Sequence, residues 1–202
     1  MDNTKRLASS EITASLVNLK QLIFEVTDAC NLNCKYCGFG DIYYGFEKRE
    51  AKFLDINKGK ALIDYLVNIW NTSRPQAKVP MTFISFYGGE PLLNVPYIKA
   101  IVEYVESRNV NREFTFSMTT NGTLLDKYMD YLVAKGFKLL ISLDGEGDEN
   151  GYRVTASGIS SFERVFNNAK ALQKKYPEYF KNNVNFNTVL HSKSSQSLVS
   201  SR

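Results

Sequence analysis

All three cysteines of this 202-residue chain fall within eight positions, Cys30-Asn31-Leu32-Asn33-Cys34-Lys35-Tyr36-Cys37. The apolar run Leu22-Ile23-Phe24-Glu25-Val26 before them reads as a buried strand, and Gly38, Phe39 and Gly40 after them mark a loop. Three thiolates on one short loop form a ligand set, because thiolate is the soft ligand that iron–sulfur clusters and zinc prefer. A structural zinc site takes four ligands, usually as two close pairs far apart in sequence. Here there is no second pair, and the single histidine, His191, lies far along the chain and reads as incidental. A disulfide would leave one cysteine over, and the first two are too close for easy bridging. Inert buried cysteines are a further reading, since free cysteine is often buried. The pattern favours a cluster on three protein ligands over zinc or no metal. An iron–sulfur cube held by three cysteines leaves one iron without a protein ligand, which a reactive cluster needs and a pure electron carrier does not.

A second group with chemical potential is Gly88-Gly89-Glu90. Two glycines let a strand end approach a ligand without a Cβ in the way, and the Glu90 carboxylate can accept hydrogen bonds from an ammonium. The competing reading is a strand-ending turn with a solvated glutamate. Thr120-Asn121-Gly122 offers side chains to a ligand or simply turns the chain, since Asn-Gly turns strongly by itself. Asp144 before Gly145 reads as a turn aspartate rather than a substrate contact.

The elements that must position these groups follow from periodicity. Strands are expected at 20–27, 81–87, 113–118, 137–143 and 183–190. Helices are expected at about 57–71, capped by Asp55; after Asn94 as a cap, through Ile98, Ile101, Val102 and Val105; through Leu125, Met129, Leu132 and Val133, stopped at Gly136; and through Phe162, Val165, Phe166, Ala169 and Leu172. Thr123 with Asp126 and Ser160 with Glu163 match capping boxes. The connection from Gly38 to Phe53 is long and aromatic (Phe39, Tyr43, Tyr44, Phe46), as functional loops tend to be. Strands alternating with helices predict an α/β fold with parallel neighbours. The first four strands each end in one of the special loops, at the carboxyl ends where parallel sheets and barrels place their ligands.

The Cys-x3-Cys-x2-Cys spacing with Tyr36 before the last cysteine, together with YGGEPLL, TTNGTLL and ISLDG in that order, resembles the radical S-adenosylmethionine (radical SAM) enzymes. More narrowly, these segments look like the peptide-modifying branch of anaerobic sulfatase-maturating enzymes and SPASM-type peptide maturases. The resemblance covers roughly residues 19 to 190. It implies a partial parallel (βα) barrel, with about five of six βα units present here. It implies a 4Fe-4S cluster on Cys30, Cys34 and Cys37, and S-adenosylmethionine on its open iron. One electron would then cleave the sulfonium bond and generate a radical that takes hydrogen from a peptide or protein side chain. By the same resemblance Tyr36 lies near the adenine, Gly88, Gly89 and Glu90 meet the methionyl amine, and Ser142 and Arg153 hold the carboxylate, a group arginine suits through paired hydrogen bonds. Asn121 and Asn187 are further cofactor-binding candidates. The expected electron donor is flavodoxin- or ferredoxin-like. The other readings kept open are a truncated cluster-binding domain without turnover and a zinc-binding interaction module.

Composition sets outer bounds. Hydrophobic residues make up 44% and charged residues 23%, an ordinary globular balance. The net charge of +4 is spread along the chain, without a basic run that argues for nucleic acid. No apolar run approaches the ~20 residues of a membrane span, and residues 1–18 do not read as a secretory signal. Clustered cysteines without such a signal point to a reducing cytoplasm. The expected organisation is an N-terminal arm at 1–18, an incomplete radical SAM core at 19–190, and a serine-rich, disordered tail at 191–202, where half of the twelve residues are serine.

Overall fold

The computed structural model describes residues 8–39, 49–73, 80–145 and 150–190. Tyr43, Tyr44, Phe46, His191 and the serine-rich tail lie outside the described residues. In chain order the elements are α1 (Ser9–Val17), β1 (Gln21–Glu25), α2 (Ile56–Thr72), β2 (Met81–Tyr87), a 3-10 turn (Pro91–Asn94), α3 (Val95–Glu106), β3 (Glu113–Thr120), α4 (Leu125–Ala134), β4 (Lys138–Ser142), α5 (Phe162–Lys175), α6 (Pro177–Asn183) and β5 (Val184–Asn187).

All five strands are parallel and stand in the order β1-β2-β3-β4-β5. Each strand therefore lies beside its sequence neighbour, with no reversal point of the kind that defines a doubly wound sheet. This is the strand order of a barrel wall. The alternation of side chains along each strand separates two faces. One face carries Phe24, Ile84, Phe86, Phe116, Met118, Leu139 and Ile141, all buried in one core with the helices. The other carries Ile23, Ser85, Tyr87, Ser117, Thr119, Leu140 and Asn185, which line an open cavity of about 450 Å³. There Gln21 donates to Ser85 Oγ at 2.8 Å, and the Ser85 and Ser117 hydroxyls share a 2.6 Å hydrogen bond.

The helices bury apolar stripes at the expected spacing. α3 presents Tyr97, Ile98, Ile101, Val102 and Val105, and α4 presents Leu125, Met129 and Leu132. Phe137 is fully buried at the centre, its ring 5.9 Å from Phe86 and 5.6 Å from Phe116. At the opposite end of the sheet from the special loops, α1 docks against α2. The Trp70 indole donates to Leu16 O at 3.0 Å. The buried Arg112 guanidinium lies 4.5 Å from the Trp70 ring centroid and donates to the Val17 carbonyl and the Thr82 hydroxyl.

Caps differ from the sequence expectation where tertiary partners compete. Asp55 caps α2, accepting from Asn57 N at 2.7 Å. Gly136, at φ +64, closes α4 with paired bonds from Gly136 N to Val133 O and from Phe137 N to Leu132 O. Asn94 does not cap α3; its amide reaches back to Val26 O at 2.8 Å. Neither capping box forms. Thr123 is drawn into contacts with Asn31 and Asn121, and Ser161, which takes the cap position of α5, turns its hydroxyl to Arg153 O. The short helix α6 was not expected.

Candidate functional site

The cysteine loop leaves β1 and is tied at its root to the end of β2. Gly89 N donates to Thr27 O and Glu90 N to Ala29 O, both at 2.8 Å. A Cβ on Gly88, which sits at φ +142, would stand 2.2 Å from Thr27 O, and one on Gly89 would stand 2.0 Å from Ala29 O. These glycines thus serve the close approach of two backbones, in addition to the ligand approach expected from sequence. The returning chain is fastened as well: Asp28 accepts from Glu50 N at 2.7 Å and Lys52 N at 2.6 Å.

A second set of bonds joins the cysteine loop to the end of β3. Asn121 Nδ2 donates to Asn31 Oδ1 at 2.8 Å and stands 3.8 Å from Cys30 Sγ. Asn31 Nδ2 donates to Thr123 Oγ1 at 2.8 Å, and Asn121 Oδ1 accepts from Thr123 N and Oγ1 at 3.0 and 2.7 Å. Glu90 lies beneath this network. Its carboxyl is wholly buried and accepts from Leu92 N, Thr120 Oγ1 and Asn121 N at 3.0, 2.7 and 2.7 Å. Burial pushes its pKa up to about 7 against the pull of those three donors. The third side is the segment after β4, where Asn33 N donates to Val154 O at 2.6 Å and Lys35 N to Tyr152 O at 2.9 Å.

These loops enclose a cavity of about 590 Å³. Cys30, Cys34, Cys37 and Tyr36 line it from the cysteine loop. Gly88, Gly89, Asn121, Ser142, Arg153 and Asn187 line it from the strand ends and the loop after β4. Of the candidates named from sequence, only Glu90 is set behind the wall. Ser142 and Asn187 are register partners on β4 and β5. Asn187 Oδ1 is buried without a hydrogen-bond partner, an acceptor left over on the wall.

Two charged residues that sequence reasoning did not place in the site shape the cavity. Arg49 donates from Nη2 to Cys37 Sγ at 2.9 Å and lies 5.3 Å from the Phe39 ring centroid. Asp144, read from sequence as a turn residue, is 2% exposed and lies 3.0 Å from Arg153 Nε, and it accepts from the Tyr36 hydroxyl and from Val189 N. Its Asp-Gly context imitates a turn signal, and nothing local announces its partners. Arg153 is buried rather than a surface arginine.

The three thiols are free and half-buried. Burial raises Cys34 to about 11 and moves Cys30 in the same direction, so loading a metal must release protons. Among the described residues no three Cys, His, Asp or Glu side chains converge on a point where one ion would sit. A zinc ion needs such convergence. A cluster does not, because each cysteine binds a different iron, and three sulfurs spread along one wall of a large cavity fit that guest.

The Radical SAM superfamily model matches residues 24–195. The chain belongs to the radical SAM superfamily. That family works with a 4Fe-4S cluster and S-adenosylmethionine, in keeping with the spread sulfurs. A cysteine-type anaerobic sulfatase-maturating enzyme of Clostridium novyi is 29% identical over 166 residues, covering 80% of this chain and 42% of the relative. A probable GTP 3′,8-cyclase of Methanococcus aeolicus is 29% identical over 147 residues, covering 72% and 44%. Among solved structures, native anSMEcpe with bound AdoMet (S-adenosylmethionine) superposes with TM-score 0.73 at 25% identity, covering 90% of this chain and 47% of that one. The same protein with AdoMet and the Kp18Cys peptide gives 0.71 at 25% identity, covering 90% and 46%. The radical SAM chain thus spans less than half the length of these relatives. The fold is the parallel five-stranded part of their barrel. Among the described residues, no helix is long and apolar enough to cross a membrane.

Proposed function

We propose that this radical SAM chain modifies a side chain of a peptide or protein by hydrogen abstraction, with Cys30, Cys34 and Cys37 holding the cluster. The observation that carries the reading is the cavity itself: three sulfurs face a wall that offers a buried arginine, a serine and an unpartnered amide oxygen. When bound, the cluster supplies the single electron that cleaves S-adenosylmethionine.

The protein's part is to bind, orient and exclude water. Arg153 presents its guanidinium toward the cofactor carboxylate, with Ser142 donating beside it. Asn187 Oδ1 accepts from a donor on the cofactor. The backbone carbonyls around Gly88 and Gly89 accept from the methionyl amine, and Glu90 supports this segment from behind rather than by touching the ligand. Tyr36 walls the adenine side. Asn121 holds the cysteine loop in place. The half-buried thiols and the redox chemistry suit an anaerobic, reducing cytoplasm and a flavodoxin- or ferredoxin-like electron donor. The peptide substrate is favoured over a nucleotide because the structures that superpose on 90% of the chain belong to a protein solved with peptides bound. No role for nucleic acid or a membrane is proposed.

Anaerobic reconstitution with iron and sulfide tests the reading. The expected result is about four irons per chain and formation of 5′-deoxyadenosine from S-adenosylmethionine with dithionite. A cluster without cleavage would reduce the chain to a cluster-binding domain, and stoichiometric zinc without iron would overturn the assignment. Deuterium transfer into 5′-deoxyadenosine from a deuterated cysteine- or serine-containing peptide, rather than from deuterated GTP, identifies the substrate class.

A further inference from the structure

Asp144 does not line the cavity, yet it joins three separate segments of its wall. One oxygen of its carboxylate accepts from the Tyr36 hydroxyl, one residue before Cys37. The other lies 3.0 Å from Arg153 Nε and accepts from Val189 N at 3.1 Å, just beyond β5. Its backbone N–H donates to Asn150 Oδ1 at 3.2 Å, and Asn150 is wholly buried. The Arg153 guanidinium also lies 5.5 Å from the Tyr36 ring centroid. Asp144 meets Arg153 on the Nε side as an ion pair that does not reach hydrogen-bond geometry, so the two terminal nitrogens remain for the cavity. Among the described residues they make no hydrogen bond, although the residue is buried. A buried carboxylate of this kind is costly unless it is paired and hydrogen-bonded, and here both partners belong to the cofactor cavity.

We propose that Asp144 is a positioning residue: it locks the Arg153 fork in the orientation that grips the cofactor carboxylate and couples that grip to the cysteine loop through Tyr36. This rests on the reading of Arg153 as the carboxylate partner. The coupling explains why Arg153 lies between the two backbone bonds, at Tyr152 and Val154, that the cysteine loop makes to this segment. The fork and the cluster mount form one unit, and Asp144 sets the angle between them.

The test uses the full chain with its cluster reconstituted, S-adenosylmethionine as the probe, and the variants Asp144→Asn, Arg153→Lys, Tyr36→Phe and the double variant Asp144→Asn with Arg153→Lys. Asn keeps the shape of the side chain and removes the charge. Iron content should stay at the wild-type level in Asp144→Asn, since no sulfur is touched. Its dissociation constant for S-adenosylmethionine should rise about 10- to 100-fold, the usual effect of losing a group that orients a direct ligand. Tyr36→Phe should weaken binding less. The double variant should bind no worse than Arg153→Lys alone, because Asp144 acts through the arginine. The change that cofactor addition produces in the electron paramagnetic resonance spectrum of the reduced cluster should shrink in parallel. Wild-type binding in Asp144→Asn with weakened binding in Arg153→Lys overturns the positioning role alone. Wild-type binding in both overturns the carboxylate assignment and the positioning role with it. Full additivity in the double variant also overturns the proposal. Should Asp144→Asn lose iron or melt early, a further double variant, Tyr36→Phe with Arg153→Lys, decides: losses that add in it would show that Tyr36 and Arg153 are not coupled and would overturn the proposal.

Discussion

Gly89→Ala offers the sharpest check on how the site is built. The new Cβ would stand 2.0 Å from Ala29 O, 2.5 Å from Ala29 C and 2.7 Å from Asp28 O, where ordinary contact begins at 3.4 Å. All three are backbone atoms and cannot rotate aside. The root of the cysteine loop must move away from β2, and the two 2.8 Å bonds of Gly89 N and Glu90 N are lost with it. Each such bond contributes about 1 kcal/mol net, and overpacking adds roughly 1–3 kcal/mol. The sum is about 3–5 kcal/mol against a total of roughly 5–15 kcal/mol for a domain. For a chain of this size that is a melting shift of about 10 °C, which thermal denaturation followed by circular dichroism reads directly. Iron uptake on reconstitution should fall as well, since the displaced segment carries Cys30. Gly38→Ala is the control, because a Cβ there meets nothing within 4 Å. A Gly89→Ala protein that melts like the wild type and takes a full load of iron would refute the claim that this glycine is required by backbone approach.

The buried Glu90 gives a pH dependence with a definite sign. Its carboxyl is raised from an ordinary 4.5 to about 7, so the folded state holds the proton more tightly than the unfolded one. The stability this confers is complete below about pH 4.5 and is lost as pH rises through 7. It amounts to roughly 3 kcal/mol, measured as the change with pH in the difference between wild type and Glu90→Gln; a flat difference across that window would count against it. Cys34→Ser should leave the stability of the metal-free protein within about 0.5 kcal/mol of wild type while iron binding drops sharply, as iron and sulfide analysis would show. Asn121→Ala removes the clasp on Asn31 and Thr123 and should cost about 1–3 kcal/mol, with faster amide exchange confined to the cysteine loop and the turn after β3.

The strand plan was open to reading because parallel strands carry near-continuous apolar runs and end in glycine-rich loops. Met81–Tyr87 has the expected boundaries, and the helices from α2 to α5 follow their apolar stripes. The ten cavity-lining candidates come from loops whose placement follows once the strands are known to be parallel. What escaped was decided by partners distant in sequence. Thr123 and Ser160 have the local signature of caps, but Asn31 and Asn121 engage the Thr123 hydroxyl, and the cap position of α5 falls to Ser161, whose hydroxyl turns to Arg153 O. Asp144 looks like a turn former until Tyr36, 108 positions earlier, is folded against it. Arg49 lies at the end of a long connection whose return path no periodicity describes. The helix α6, Pro177–Asn183, buries no residue and so leaves no apolar rhythm to detect.

Arg112 and Trp70 tie the lead-in helix to the underside of the sheet, and this bears on how the protein can be handled in practice. A clone begun at Leu19, on the view that the preceding stretch is dispensable, would deprive a buried cation of the Val17 carbonyl and an indole N–H of its acceptor on Leu16. Such a shortened product should keep its sulfur ligands but clump during storage, which size-exclusion chromatography would reveal as material in the void volume. An intact, monodisperse peak from that clone would mean that the helix merely leans on the barrel wall.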